Sequence, residues 1–338
     1  MDSSIIITFA IPLFFGLILI EFFYGVITKQ NNYRINDAIT SMSLGLISRF
    51  VPILGLGFQY VVYKAVAEHY NLKLLSGEEI WVWVTAFILY DICYYWMHRI
   101  HHEIKVFWAT HVVHHHGEEF NLATALRQTS TGFLWKWVFF LPLFIIGIPP
   151  QMYVTVAGLN LVYQFWVHTE HIGRLGFLEY IFVTPSNHRV HHAQNEDYLD
   201  ANYGGVFILW DRLFGTFIDE RSDLKPVYGT VKPLKSFNPF WANIEVFYQM
   251  IFDSYHTEKF TDKIRVWFSP PNWRPEDVSM KYPIDKNDLS SFEKYDPNIS
   301  LREKIFAGSQ FTVINLMTIV MLFNVQNYIY SEIISIVL

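Results

Sequence analysis

Apolar residues along this chain gather into long runs separated by polar connections, and the lengths of the runs limit the fold. Residues 5–28 form a 24-residue apolar run interrupted by one charge, Glu21. At about 1.5 Å per residue that is enough to cross a hydrocarbon core of about 30 Å, so a membrane-spanning helix is expected. The opening MDSSIIITFAIPLFF has neither a positively charged stretch nor a small-residue cleavage site, which predicts a retained span rather than a signal peptide. A weaker run at 38–63 contains Arg49, Pro52 and three glycines and predicts a kinked or partly interfacial span. Residues 80–97 form the next span, rich in aromatics and carrying Asp91. Runs at 133–148 and 151–167, joined by Gly-Ile-Pro-Pro, are short for spans and predict two transmembrane helices or a re-entrant hairpin. The last run, 310–338, is interrupted by Asn324, Gln326, Asn327 and Glu332 and reads as a C-terminal membrane helix.

The stretch 169–304 is mixed and polar, with two shallow apolar segments, 206–217 and 240–252, expected to lie along the membrane surface. Lys and Arg are dense at 99–136 and 169–304 and absent from the turn at 147–151. The positive-inside rule then places the 99–136 face in the cytoplasm, under either a bacterial inner membrane or an endoplasmic reticulum membrane. The expected fold is all-α: a polytopic integral membrane helical bundle, a single membrane domain over 1–338, with a cytoplasmic cap. Composition agrees, since 52% of residues are hydrophobic, 18% aromatic and only 17% charged. A net charge of −6 without basic blocks argues against nucleic acid as a partner. The one cysteine, Cys93, allows no intramolecular disulfide framework and no cysteine-based zinc site.

The polar connections turn a membrane protein into a candidate metalloprotein. Twelve of the 14 histidines fall between residues 98 and 192. Residues three and four apart share a helix face. His98 and His102 are so spaced, as are His111, His114 and His115, and again His188, His191 and His192. Those eight imidazoles exceed the three or four that one zinc takes, so two metals fit better: the cap should carry a dimetal centre. Surface or pH-sensing histidines would explain one HxxHH, not two with an HxxxH. His69 and His256 stand alone and read as ordinary residues. His101 is turned about 100° from His102 and should not be a ligand.

Asp91 lies about two helical turns before His98 on nearly the same face. Carboxylates in membrane helices are costly and usually face a functional interior. Asp91 is therefore expected to hold an imidazole N–H or a water, the plainer alternative being a hydrogen bond to a neighbouring helix. Ahead of the last cluster, Thr184 can cap a helix with Pro185 at its first position, which would set His188, His191 and His192 on a rigid element.

In this order, HRIHHE (98–103), HVVHH (111–115) and HRVHH (188–192) resemble the fatty acid hydroxylase and sterol desaturase superfamily, integral membrane oxygenases with a histidine-rich dimetal centre. DAITSMSLGLISR (37–49), YYWMHR (94–99), NLATALRQ (121–128), YQFWVHTE (163–170), TPSNHRVHHAQN (184–195) and NYGGVFILWDRLFGTF (202–217) are similar to its alkylglycerol monooxygenase family. The likeness covers roughly residues 37–235, with a hydroxylase core at 80–235. It implies that His98, His102, His111, His114, His115, His188, His191 and His192, with His168 as a ninth, hold two iron ions. It implies that Asp91 and Glu103 orient imidazoles and that Asn121, Arg127 and Gln128 line the site, although Arg127 could instead pair with Glu118 or Glu119. His116 stands where the family has serine and His171 is additional; His116 is expected not to bind metal, and His171 is left open.

Imidazole alone does not choose among iron, zinc, copper and nickel; iron comes from the resemblance. So do dioxygen, a membrane lipid substrate and tetrahydrobiopterin as reductant. The implied reaction hydroxylates the alkyl carbon beside an ether oxygen, giving a hemiacetal that collapses to a fatty aldehyde and a glycerol derivative. A related hydroxylase or desaturase acting on a sterol, sphingoid or amino-acid lipid would use the same centre. A zinc hydrolase needs fewer ligands. A transporter needs them near the bilayer midplane, whereas these gather at helix ends on one side.

Overall fold

A computed structural model describes residues 3–53, 58–75 and 77–324, together with 327, 328, 332 and 335. Among these residues the regular structure is helical, and the only extended pairings are isolated bridges, Phe182 to Phe207 and Ala193 to Tyr228. The first run is α1 (Ser3–Thr28). The 38–63 run holds two helices, α2 (Ile35–Ile53) and α3 (Gln59–His69), and residues 54–57, where a kink in this run could fall, lie outside the described residues. Next comes α4 (Ile80–Glu103), followed by the single-turn helices α5 (Lys105–Trp108) and α6 (Val112–His115).

The 133–148 run is not one helix. It breaks into 3-10 turns at Gly132–Leu134 and Lys136–Phe140 before α7 (Leu141–Ile146). Pro142 sits in the first turn of α7, where a missing N–H is harmless; extending the helix back through it would break a backbone bond. α8 (Pro150–Trp166) follows α7 after a turn at Gly147. The remaining helices are α9 (Pro185–His191), α10 (Leu209–Phe214), α11 (Pro239–His256), α12 (Phe260–Phe268), α13 (Glu276–Lys281) and α14 (Leu301–Asn324). The last begins at Leu301, ahead of the apolar run expected from 310, and most of the segment beyond 324 lies outside the described residues.

Two helices among the described residues are long and apolar enough to cross a membrane, Ile80–Glu103 and Leu301–Met321. α4 packs along α8 and on the 3-10 turn ahead of α7. Its aromatic contacts include Tyr90, which stacks on Phe140 with ring centroids 4.8 Å apart and lies against Tyr153 of α8 at 5.6 Å. Such pairs bury large surfaces in fixed geometry and set the ends of α4 and α8, hence His98, His102 and His168, side by side. The 206–217 segment is only partly buried: Leu209 and Leu213 of α10 are 44% and 68% exposed. Val206, Ile208 and Asp211 are buried, because carboxylates beneath them bind this stretch of backbone.

Candidate metal centre

The nine histidines converge into two groups. The ligand nitrogens of His98, His102, His111, His115 and His191 all lie within 4.8 Å of one another, and so do those of His114, His168, His188 and His192. The HxxHH spacing divides between them. Each i,i+4 pair, His111 with His115 and His188 with His192, serves one group, while the residue at i+3 (His114 or His191) crosses to the other. A capping box fixes the start of α9: the Thr184 hydroxyl accepts from Asn187 N, and the Asn187 side chain accepts from Thr184 N at 3.1 Å. Thr184 and Pro185 thus do what their sequence predicts.

These groups fit metal ions. His98 Nε2 is 3.0 Å from His111 Nε2, which is 3.2 Å from His115 Nε2. In the second group the His168 to His114, His188 to His168 and His192 to His188 Nε2 separations are 3.2, 3.0 and 3.1 Å. Nitrogens bound at about 2.0–2.1 Å to one ion at right angles would stand about 3.0 Å apart. The buried Nε2 atoms of His102 and His191 have no hydrogen-bond partner, a costly state for a polar atom unless something binds it.

The outward nitrogens explain why the lone pairs point in. Nδ1 of His98 donates to Tyr203 O at 2.8 Å, of His114 to Arg127 O at 3.0 Å, of His168 to Gln164 O at 2.8 Å and of His191 to Ala201 O at 2.9 Å. A carbonyl can only accept, so each bond fixes the tautomer that leaves Nε2 free for a metal. Burial, and then neighbouring imidazoles, hold His111, His115, His188 and His192 well below the usual histidine range; burial pushes His168 down to about 3 and His191 to about 4. Neutral imidazole is the ligand form.

Asp91 touches no imidazole. Its Oδ1 accepts from Asn160 Nδ2 (2.8 Å) and Val206 N (2.9 Å), and its Oδ2 from Phe207 N and Trp210 Nε1 (both 2.9 Å). Asp211 takes the next stretch of backbone, accepting from Tyr203 N at 2.7 Å and Gly204 N at 2.8 Å, and burial pushes its carboxyl up to about 6. Together they hold a buried strap, residues 201–207, whose carbonyls aim His98 and His191. Gly205 is required there, since a Cβ would come within 2.8 Å of Asp91 Oδ1. Asp91 thus makes the hydrogen bond to a neighbouring helix, through Asn160 of α8, and holds no imidazole; its link to the centre runs through the strap.

The other expected roles shift similarly. Glu103 is exposed and pairs with Arg99 at 2.7 Å, away from every imidazole. Asn121 holds its own loop, donating to Asn32 O at 2.7 Å and accepting from Ala123 N, and Gln128 donates to Ala125 O. Arg127 is buried and clamps the HVVHH turn: Nε donates to Val113 O at 2.8 Å while its own carbonyl receives His114. Its carboxylate partner is Asp37 at 3.3 Å, not Glu118 or Glu119, which bind Arg34. His101, His116 and His171 join neither group.

Glu21 is the one charge within the first apolar run. It is buried, accepting from Thr169 Oγ1 (2.5 Å), Leu122 N (2.7 Å) and the Tyr33 hydroxyl. It thereby ties α1 to the residue after His168 and to the loop leading to Arg127. A lone carboxylate in a span was the available signal.

Residues 83–216 match the family model described as fatty acid hydroxylase. An alkylglycerol monooxygenase of Xenopus tropicalis is 38% identical over 285 residues, 84% of this chain and 63% of that protein. One of Homo sapiens is 37% identical over 312 residues, 92% of this chain and 67% of that protein; one of Danio rerio is 38% identical over 291 residues, covering 85% and 64%. The chain therefore spans about two thirds of the length of these relatives. No solved structure matches it. With its histidines divided as two ions would require and likeness running through nearly all of its length, the chain belongs to the alkylglycerol monooxygenase family of fatty acid hydroxylases.

Proposed function

We propose that this chain is a membrane-bound non-haem di-iron monooxygenase that oxidises an ether lipid at the alkyl carbon beside the ether oxygen. The observation that carries the reading is the convergence of nine imidazoles, eight of them buried and His114 half-buried, into two groups; the names of the relatives supply the substrate class. One oxygen atom of dioxygen enters the C–H bond. The other leaves as water, with two electrons and two protons from a reductant that we take to be tetrahydrobiopterin. The resulting hemiacetal breaks its C–O bond to give a fatty aldehyde and a glycerol derivative.

Two bound irons would supply the activation of dioxygen. The residues of the chain do the rest: the carbonyls of Tyr203, Ala201, Arg127 and Gln164 hold the imidazoles in the binding tautomer. Aromatic rings enclose the centre, Trp108 at 5.0 Å from the His102 ring and Phe120 at 5.2 Å from His192. They exclude water and offer an alkyl chain an apolar approach. The chain is a polytopic bundle in this reading, with the histidine face cytoplasmic by the distribution of Lys and Arg.

The test is release of fatty aldehyde from an alkylglycerol by membranes containing the protein, with and without oxygen and tetrahydrobiopterin. Aldehyde requiring both, and lost in His114→Ala, is expected. Iron-loaded protein that releases none would refute the substrate assignment and leave a hydroxylase of another lipid.

A further inference from the structure

The two helices of 239–268 carry apolar stripes on their outer faces. On α11, Phe240, Ile244, Tyr248, Ile251 and Tyr255 follow i,i+4 and i,i+3 spacing and are 50–79% exposed. On α12, Phe260, Ile264 and Phe268 repeat it at 52–72%. The buried side is mixed: apolar Ala242, Met250 and Val266 stand beside polar residues that are paired. Asn243 Oδ1 accepts from Ser130 N at 2.8 Å, Glu245 pairs with Lys232, and Asp253 takes a two-pronged bond from Arg274 at 2.8 and 2.9 Å. A surface helix facing water carries polar residues on its outer face.

The place of this hairpin says what covers it. It packs on α5, which begins two residues after the end of the membrane-length helix α4. Val106 and Ala109 pack against Met250 and Val266, and Lys105 N donates to Ser269 O at 2.9 Å. The exposed stripes thus lie at the level where a span of α4's length, about 36 Å, has just left a hydrocarbon core of about 30 Å. Exposed charges around them are of both signs, Lys259 and Arg265 beside Glu258, so apolar burial, not attraction to anionic lipid, is the driving term.

We infer that α11 and α12 lie in the headgroup-to-acyl boundary of the leaflet that α4 enters, docking a phospholipid bilayer surface and setting the depth of the histidine centre. The connection runs from the hairpin through α5 to His111, three residues past Trp108. This inference does not depend on which lipid the centre oxidises.

The experiment uses the full chain in phosphatidylcholine nanodiscs. A Cys93→Ala background carries, one at a time, Ile244→Cys, Ile251→Cys or Ile264→Cys labelled with an environment-sensitive fluorophore, and Asp197→Cys as an exposed polar control. Metal content identifies correctly folded samples. Lipids spin-labelled near the top of the acyl chain are expected to quench the three stripe positions at least about threefold more than the control, with iodide in the aqueous phase doing the reverse. Iodide quenching equal to the control would overturn the inference. So would protection from both quenchers, which would mean that a second copy or another protein covers the face.

Discussion

Replacing Asp91 by Asn tests the strap directly. The carboxylate accepts four hydrogen bonds, two on each oxygen. An amide keeps one oxygen and presents N–H groups to the remaining two donors, which are buried and lose their partner. Hydrogen bonds to a charged group contribute about 1.5–3 kcal/mol each, so the loss is about 3–6 kcal/mol. Relief of a buried charge offsets part of it, leaving about 3 kcal/mol out of a total stability of roughly 5–15 kcal/mol. The slackened strap carries the carbonyls that hold His98 and His191, both in the five-histidine group. Asp91→Asn should therefore melt earlier and lose metal from that group first, read by thermal unfolding and metal analysis of purified protein. An unchanged melting temperature with full metal content would refute the reasoning. Loss of metal with no loss of stability would mean that Asp91 acts on an imidazole after all.

Glu103→Gln should leave stability within about 0.5 kcal/mol and metal content intact, because an exposed i,i+4 pair contributes little; a chemical melt and metal analysis check this. Glu21→Ala should instead empty the four-histidine group preferentially, since Thr169 and Leu122 lose their shared acceptor; retention of both metals would count against that link. The metal-free protein should lose stability as pH falls from about 6.5 towards 4. His191, near 4, and His168, near 3, bind protons more weakly folded than at the ordinary 6.5, so the unfolded chain takes up protons in that window and stability rises with pH across it. Chelator-treated samples melted from pH 4 to 8 would show the slope, and a flat profile would contradict the burial of these imidazoles.

Spacing made eight of the nine grouped histidines legible, because i,i+3 and i,i+4 periodicity is a property of the helix itself, while His168 came from the resemblance. It also separated His101 from His102. The division into two groups was not legible, since it depends on how α4, α6, α8 and α9 meet. Backbone acceptors leave no trace in residue identity, so the carbonyls of Ala201, Tyr203, Arg127 and Gln164 could not be foreseen. Glu103 was expected at the centre from its place after a motif, but the last turn of α4 points it outward to Arg99. Asp91 and Glu21 were visible as carboxylates in apolar helices; their partners, loop backbone distant in sequence, were not. Both 206–217 and 240–252 were read as shallow apolar segments; the hold of Asp91 and Asp211 on the backbone around residues 203–207 is a tertiary effect that their pattern does not carry.

The most direct test of the central claim is the metal stoichiometry of the purified chain, measured beside two paired variants. Iron-loaded wild type should bind two equivalents, and His98→Ala/His102→Ala and His188→Ala/His192→Ala should each keep one. A wild type holding a single equivalent, or paired variants that still hold two, would contradict a centre of two ions shared among nine histidines.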